Sequence, residues 1–321
     1  MKTPSLKQTA INAFTSSLAA PASALGLANK TVAPEPAPKK GIKRKTGKRG
    51  LYSVQPPQAS VHAPLTPVPS NIKAHTRQPA NLTRSSSSDS DAKALNPRHP
   101  PSRASGGIPS PSGRYLAQAL LPPALLPAPR RILVILDLNG TLLYRPSRRR
   151  PSHFVQRPHA QRFLRYCLDA FHLAIWSSAR PQNVDSMVAQ LLTPAECRRC
   201  VVIWARDRLG LSPDDYDARV QVYKRLSTVW QSPQVRAAHP DAARAGRWDQ
   251  SNTVLVDDSR EKGRSEPYNI LPVPEFSGLQ AELPDVLPQV HDYLNALCFQ
   301  ADVSRYMRLN PFALDPQYTL S

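Results

Sequence analysis

Cysteine is scarce in this chain: four in 321 residues, Cys167, Cys197, Cys200 and Cys298. That is too few for a disulfide framework, so a reducing compartment is the default. Cys197-x-x-Cys200 has no second pair at zinc spacing and reads as two ordinary thiols. Long apolar runs are missing too. Leu116–Leu136 is interrupted by four prolines and by Arg130-Arg131, so it cannot supply the roughly 18 uncharged apolar residues of a spanning helix. No membrane span is expected. Acid is nearly absent from the first third, where residues 1–114 hold 17 Lys and Arg against 3 Asp and Glu. The remainder holds 25 against 20, so most of the net charge of +19 sits in that first stretch. Poor in aromatics and rich in Pro, Ser, Ala and Lys, it cannot bury enough apolar surface to offset chain entropy. Residues 1–128 therefore read as a disordered basic arm, 129–300 as one domain with one core, and 301–321 as a tail.

Within the arm, Met1–Leu27 is rich in Ser, Thr and Ala and free of acid, which only half fits a mitochondrial presequence because it has no Arg. Lys39–Arg49 is a dense basic run that suits nuclear import or a salt-sensitive nucleic-acid contact. Nuclear localisation is favoured on that run, with mitochondria as the alternative. Ser85–Asp91 places acids after serines, the pattern of an acidic-directed phosphorylation cluster. No oligomeric state can be read from the sequence.

The domain alternates apolar strands with amphipathic helices. Strands are expected at Arg131–Asp137, Leu173–Ser177, Val201–Trp204 and Thr253–Asp257. Helices are expected after Pro158, then over Asn183–Leu192, Arg219–Trp230 and Val286–Cys298, with residues 231–252 as a surface insertion. Such alternation implies a doubly wound α/β fold, a parallel sheet covered by helices on both faces.

Three strands end in polar residues: Asp137, Ser177-Ser178 and Asp257-Asp258. Parallel strands bring their carboxyl ends to one edge, where open α/β sheets bind ligands. There an aspartate can attack phosphorus as a nucleophile, and a lysine such as Lys224 can neutralise developing charge. Ser177 or Ser178 can bond a phosphate oxygen, Gly140 permits a tight turn, and the Thr141 hydroxyl can fix that turn by bonding the backbone. Asp137, Asp257 and Asp258, with the backbone carbonyl of residue 139, make an oxygen-rich site for Mg²⁺.

The run Asp137-Leu138-Asn139-Gly140-Thr141 resembles the first motif of the haloacid-dehalogenase (HAD) phosphotransferases, D-x-D-G-T, with an amide in place of the second acid. The pieces D-L-N-G-T-L-L-Y-R-P, R-P-H-A-Q-R-F-L, I-W-S-S-A-R-P-Q-N-V, V-Y-K-R-L-S-T-V-W, N-T-V-L-V-D-D-S-R-E-K, P-Y-N-I and V-P-E-F narrow the likeness. Together they look like the NIF-type family, which groups the RNA polymerase II C-terminal-domain phosphatases (FCP1 homology) with related proteins. The resemblance covers about residues 129–298. It implies Asp137 as nucleophile, Asn139 at the general acid/base position, Ser177 as second-motif hydroxyl and Lys224 as phosphate lysine. Thr141 and Ser178 join the phosphate site, and Asp257-Asp258 form the fourth motif. About 40 residues separate the first two motifs, room for a small flap but no large cap, which suits phosphoserine or phosphothreonine in extended protein segments. Arg145, Arg148, Arg149 and Arg150 on the flap would attract such segments.

An amide neither gives nor takes a proton at accessible pH, so the resemblance implies a phosphate and Mg²⁺ cleft with crippled turnover. The alternative is a non-catalytic peptide-binding module akin to the phosphatase-like subunit of the mitochondrial inner-membrane presequence translocase. Against that reading stands the lack of a spanning helix, which that subunit normally has. Nucleic-acid binding by the arm is a third reading and rests on charge alone.

Overall fold

Apolar side chains alternate along the first long strand, and that alternation splits the core in two. In the computed structural model, which describes residues 98–147, 152–318 and 320, Ile132, Val134 and Leu136 join one buried cluster. Leu133 and Ile135 join another on the opposite face of the sheet. This is the period of 2 that a strand buried on both faces requires.

In chain order, the elements begin with α1 (Gly113–Ala119), β1 (Leu133–Leu136), β2 (Leu143–Tyr144), β3 (Val155–Gln156), α2 (Ala160–Ala170) and β4 (His172–Trp176). Next come α3 (Pro181–Leu191), α4 (Pro194–Cys197), β5 (Ile203–Trp204), α5 (Pro213–Asp217), α6 (Leu226–Gln231) and α7 (Pro233–Ala237). The chain closes with β6 (Thr253–Asp257), β7 (Ile270–Pro272), α8 (Val286–Cys298) and α9 (Val303–Leu309). The main sheet has the order β5-β4-β1-β6-β7 and every pairing in it is parallel. Helices α2, α3, α8 and α9 cover one face; α6, α7 and the segment around Val220–Val222 cover the other. This is the doubly wound α/β architecture expected from the alternation. The antiparallel pair β2–β3 is the small flap, and no cap domain lies between β1 and β4 among the described residues. Among the described residues no helix is long and apolar enough to cross a membrane, and all four cysteines are free thiols.

Four expectations need correction. Residues 98–128, assigned to the arm, are folded onto the domain as a strap. Ser102 and Ser105 hydroxyls both donate to Asp215 Oδ2, and His99 forms a parallel bridge with Val220. On α1 the Tyr115 hydroxyl donates to Asn269 Oδ1 (2.8 Å) and accepts from Tyr268 N (2.9 Å). Burial pushes that hydroxyl well above its ordinary pKa. The rest of the arm, with Met1–Leu27, Lys39–Arg49 and Ser85–Asp91, lies outside the described residues, as do Arg148, Arg149 and Arg150.

Second, the tail is not a tail. Helix α9 is N-capped by Asp302, whose carboxylate accepts from Ser304 N and Arg305 N, and it buries Val303 and Met307 in the first cluster. Third, the insertion 231–252 contributes Val235 and Trp248 to the second cluster and is not all surface. Fourth, the helix expected over Arg219–Trp230 begins only at Leu226. Its first half is held extended because other segments take its backbone groups. His99 N donates to Arg219 O, Gln221 N donates to His99 O, and Lys224 N donates to Lys262 O. Lys224 therefore sits on an extended approach to a helix, not on the helix itself.

Candidate active site

β1 ends at Leu136, and the next residue, Asp137, is 1% exposed at the carboxyl edge of the sheet. Asp257 closes the neighbouring β6, and Asp258 follows it half-buried. Ser177 follows β4 on the other side; its N donates to Trp204 O, and its Oγ accepts from Ala179 N at 3.3 Å. Ser178 beside it is half-buried. Parallel pairing of β4, β1 and β6 thus gathers residues distant in sequence along one edge, as the strand-end pattern required.

The turn after β1 is fixed by its own backbone. Thr141 N, Leu142 N and Leu143 N all point to Leu138 O, and Gly140 N donates to Leu143 O at 2.7 Å. Thr141 was expected to brace this turn through its hydroxyl; instead its buried Oγ1 has no hydrogen-bond partner. Gly140 has φ +88°, and a Cβ there would lie 2.6 Å from Asp258 Oδ2. Both backbone strain and this close approach demand glycine. Gly140→Ala is expected to cost about 1–3 kcal/mol of stability, read as a lowered urea midpoint with unchanged slope. A loss well under about 0.5 kcal/mol would show that the turn yields easily.

Lys224 comes from the extended segment before α6 and is fully buried. Its Nζ donates to Asp137 Oδ1 and to Asp257 Oδ2, each at 2.7 Å. A second buried lysine, Lys262, was not foreseen. It rises from a 3₁₀ turn, Arg260–Gly263, that follows β6. Its Nζ donates to Asp257 Oδ1 and Asp258 Oδ1 at 2.8 Å each and reaches Asp137 Oδ2 at 3.5 Å. The spacing D-D-S-R-E-K carried a usable signal, because a single turn after a strand end returns the fourth residue over the acid.

The carboxylates respond differently to this company. Burial raises the Asp257 pKa, but Lys224 and Lys262 outweigh it and hold the group well below the usual carboxylate range. Asp258 is pushed up to about 6 by burial and by the nearby charge of Asp137, against the pull of Lys262. For Lys262 itself, burial pulls the pKa down, yet the three carboxylates win and hold it above its ordinary value.

Arg157 is the other unforeseen residue. It is 1% exposed, and its Nη1 donates to Thr141 O while Nη2 donates to Pro274 O. Its Nε and Nη2 also make a two-point pair with Glu282 at 2.8 and 2.7 Å. It therefore fastens the turn after β1 to the loop after β7, where Phe276 N also donates to Gly140 O.

One carboxylate oxygen from each of Asp137, Asp257 and Asp258 can be chosen so that all three lie within 4.8 Å of one another. Hard oxygen donors at this separation suit a hard divalent cation. Asn139 is exposed, and its backbone bridges to Leu143.

A parallel α/β sheet, a small flap and an acid–lysine cluster at its carboxyl edge define a HAD-like, phosphatase-like domain. The profile of the NLI interacting factor-like phosphatase family matches residues 132–304, and the chain belongs to that family. An uncharacterised FCP1 homology domain-containing protein of Schizosaccharomyces pombe is 34% identical over 217 residues, covering 64% of this chain and 86% of the relative. A single-residue variant of the fission yeast RNA polymerase II CTD phosphatase Fcp1, bound to beryllium fluoride, matches with 13% identity and a TM-score of 0.30. That match covers 53% of this chain and 50% of the other, so the chain spans about half the length of that protein. An uncharacterised protein from Listeria monocytogenes serotype 4b matches with 19% identity and a TM-score of 0.32, over 52% of this chain and 98% of that one. At these scores neither structural likeness bears on what this chain does.

Proposed function

We propose that the domain is a protein phosphatase of the aspartyl-phosphate type, for phosphoserine or phosphothreonine in extended protein segments, with turnover crippled at residue 139. The observation that carries this reading is the Lys224 ammonium bridging Asp137 and Asp257 at 2.7 Å on the carboxyl edge of the sheet. A buried lysine held there is poised to meet the charge of a phosphoryl group.

In the first step an Asp137 oxygen attacks phosphorus as the bond from phosphorus to the serine oxygen breaks. Ser177 and Ser178 offer hydrogen bonds to the phosphoryl oxygens. The Thr141 hydroxyl, buried without a hydrogen-bond partner, would be a further donor to the phosphoryl group. Mg²⁺, when held by Asp137, Asp257, Asp258 and the backbone carbonyl of Asn139, would neutralise charge on the phosphoryl group. The leaving serine oxygen needs a proton, and the water that later cleaves the aspartyl phosphate must lose one. Asn139 can do neither, so both steps depend on solvent. Aryl phosphates, whose leaving groups need less protonation, should suffer least. The flap residue Arg145 would favour acidic or phosphorylated segments.

The test is Mg²⁺-dependent phosphate release from an aryl phosphate by wild type and by Asp137→Asn. Slow release is expected from wild type and none above background from the variant. Equal rates in the two proteins would remove Asp137 from the chemistry.

The amide at Asn139 also favours a second reading, a peptide-binding module of the kind found in the presequence translocase. Its signature would be peptide binding with no turnover even after Asn139→Asp. The nuclear assignment rests on Lys39–Arg49, and a reporter fused to residues 1–60 would separate nucleus from mitochondrion. Salt-sensitive nucleic-acid binding by the same arm would be lost with that basic run.

A further inference from the structure

Lys262 has no part in the phosphoryl transfer outlined above, yet it is buried among the same three carboxylates as the candidate cation site. Its position is built, not incidental. The turn that carries it is closed by Lys262 N donating to Ser259 O, and Lys262 O accepts from Lys224 N at 2.7 Å, so the two lysines are set as one backbone unit. Gly263 packs so closely that a Cβ there would lie 2.7 Å from Ile270 Cδ1, which pins the turn against β7.

Charge decides what this lysine does. Three carboxylates meet two ammoniums, leaving one negative charge uncompensated. Without Lys262 the cluster would carry two, the charge of one divalent cation. Lys262 Nζ and a cation would also draw on oxygens of the same side chains, and like charges in a poorly solvated site repel strongly.

We propose that Lys262 is a resident counter-cation of the metal site, holding Asp257 and Asp258 in place without metal and weakening the site's affinity for Mg²⁺. The inference rests on reading Asp137, Asp257 and Asp258 as a divalent-cation site. It is independent of whether Asn139 permits turnover.

The experiment is calorimetric titration of Mg²⁺ into the full chain, as wild type, Lys262→Met and Lys262→Arg, with thermal melts in EDTA and in Mg²⁺. Lys262→Met is expected to bind Mg²⁺ on the order of tenfold or more tighter than wild type, because a like charge a few Å from the cation is removed. Lys262→Arg, which keeps the charge, should stay close to wild type. Wild type should gain only a small rise in melting temperature from Mg²⁺, whereas Lys262→Met should lose stability in EDTA and regain it with Mg²⁺. Equal or weaker binding by Lys262→Met overturns the proposal while leaving the cation site standing. Binding by none of the three proteins removes the cation site itself, and the proposal with it. Should Lys262→Met fail to fold in either buffer, the wild-type melts decide, and a large rise of melting temperature with Mg²⁺ overturns the proposal.

Discussion

Asn139→Asp is expected to raise Mg²⁺-dependent hydrolysis of a phosphoserine peptide by roughly 10²–10⁴-fold, the usual worth of a positioned general acid or base. Serine is a poor leaving group, so its oxygen must be protonated as the bond to phosphorus breaks. Asn139 is exposed at the turn after β1, and its side chain can be exchanged without disturbing a packed core. The backbone of that turn is held by Leu138 O and Leu143 O and not by the Asn139 side chain. The gain should therefore appear in kcat with little change in stability, and should be smaller for an aryl phosphate. A phosphoserine-peptide rate for wild type within about tenfold of the variant's would contradict the proposed role of residue 139. One control belongs with this assay. Asn139-Gly140 is a sequence prone to succinimide formation, in which the Gly140 nitrogen attacks the amide. Here Gly140 N is bonded to Leu143 O at 2.7 Å, which opposes that attack in the folded chain. Peptide mass spectrometry of any active wild-type preparation would reveal Asp formed at this position.

Lys224→Met is expected to destabilise the protein by about 3–5 kcal/mol, the usual loss when one partner of a buried ion pair is removed. Methionine keeps much of the apolar stem but not the ammonium. Asp137 and Asp257, 1% and 0% exposed, would lose their 2.7 Å contacts and stay buried with only Lys262 beside them. Urea denaturation should show a lower midpoint, and adding Asp257→Asn to Lys224→Met should recover part of the loss. A double variant no more stable than the single one would mean that uncompensated charge is not the cause. A loss below about 1 kcal/mol would place Lys224 among exposed, weakly coupled lysines.

These two expectations differ in how far the sequence alone could support them. Asn139 could be singled out in the chain because its significance lies in one substituted letter of a local motif. Asp137, Ser177, Asp257 and Asp258 were legible for a related reason: an apolar run that stops in a polar residue marks the end of a buried strand. Lys224 was found through its motif but set on the wrong element, since the strap and Lys262 O take the backbone groups a helix would have used. Arg157 carried no local mark of burial, because charged residues are ordinarily expected at the surface, and the D-D-S-R-E-K spacing marks Lys262 as near the acids but not as buried. The strap was missed for a compositional reason. Its prolines and exposed leucines look like a linker, but its serines and Tyr115 find buried partners more than 100 residues away.

The sequence by itself determined the parallel sheet, the two-sided core and the line of acids at its edge. Period-2 burial and abrupt strand ends are properties of neighbouring residues. It also placed an amide, Asn139, where the family resemblance implies the general acid/base. Only the tertiary structure decided which cations meet those acids. The Lys224–Asp137 and Lys262–Asp137 contacts join residues 87 and 125 positions apart. Such pairings are set by the path of the chain around the sheet and by the low-dielectric core that makes an unpaired charge costly there, and no local pattern records either one.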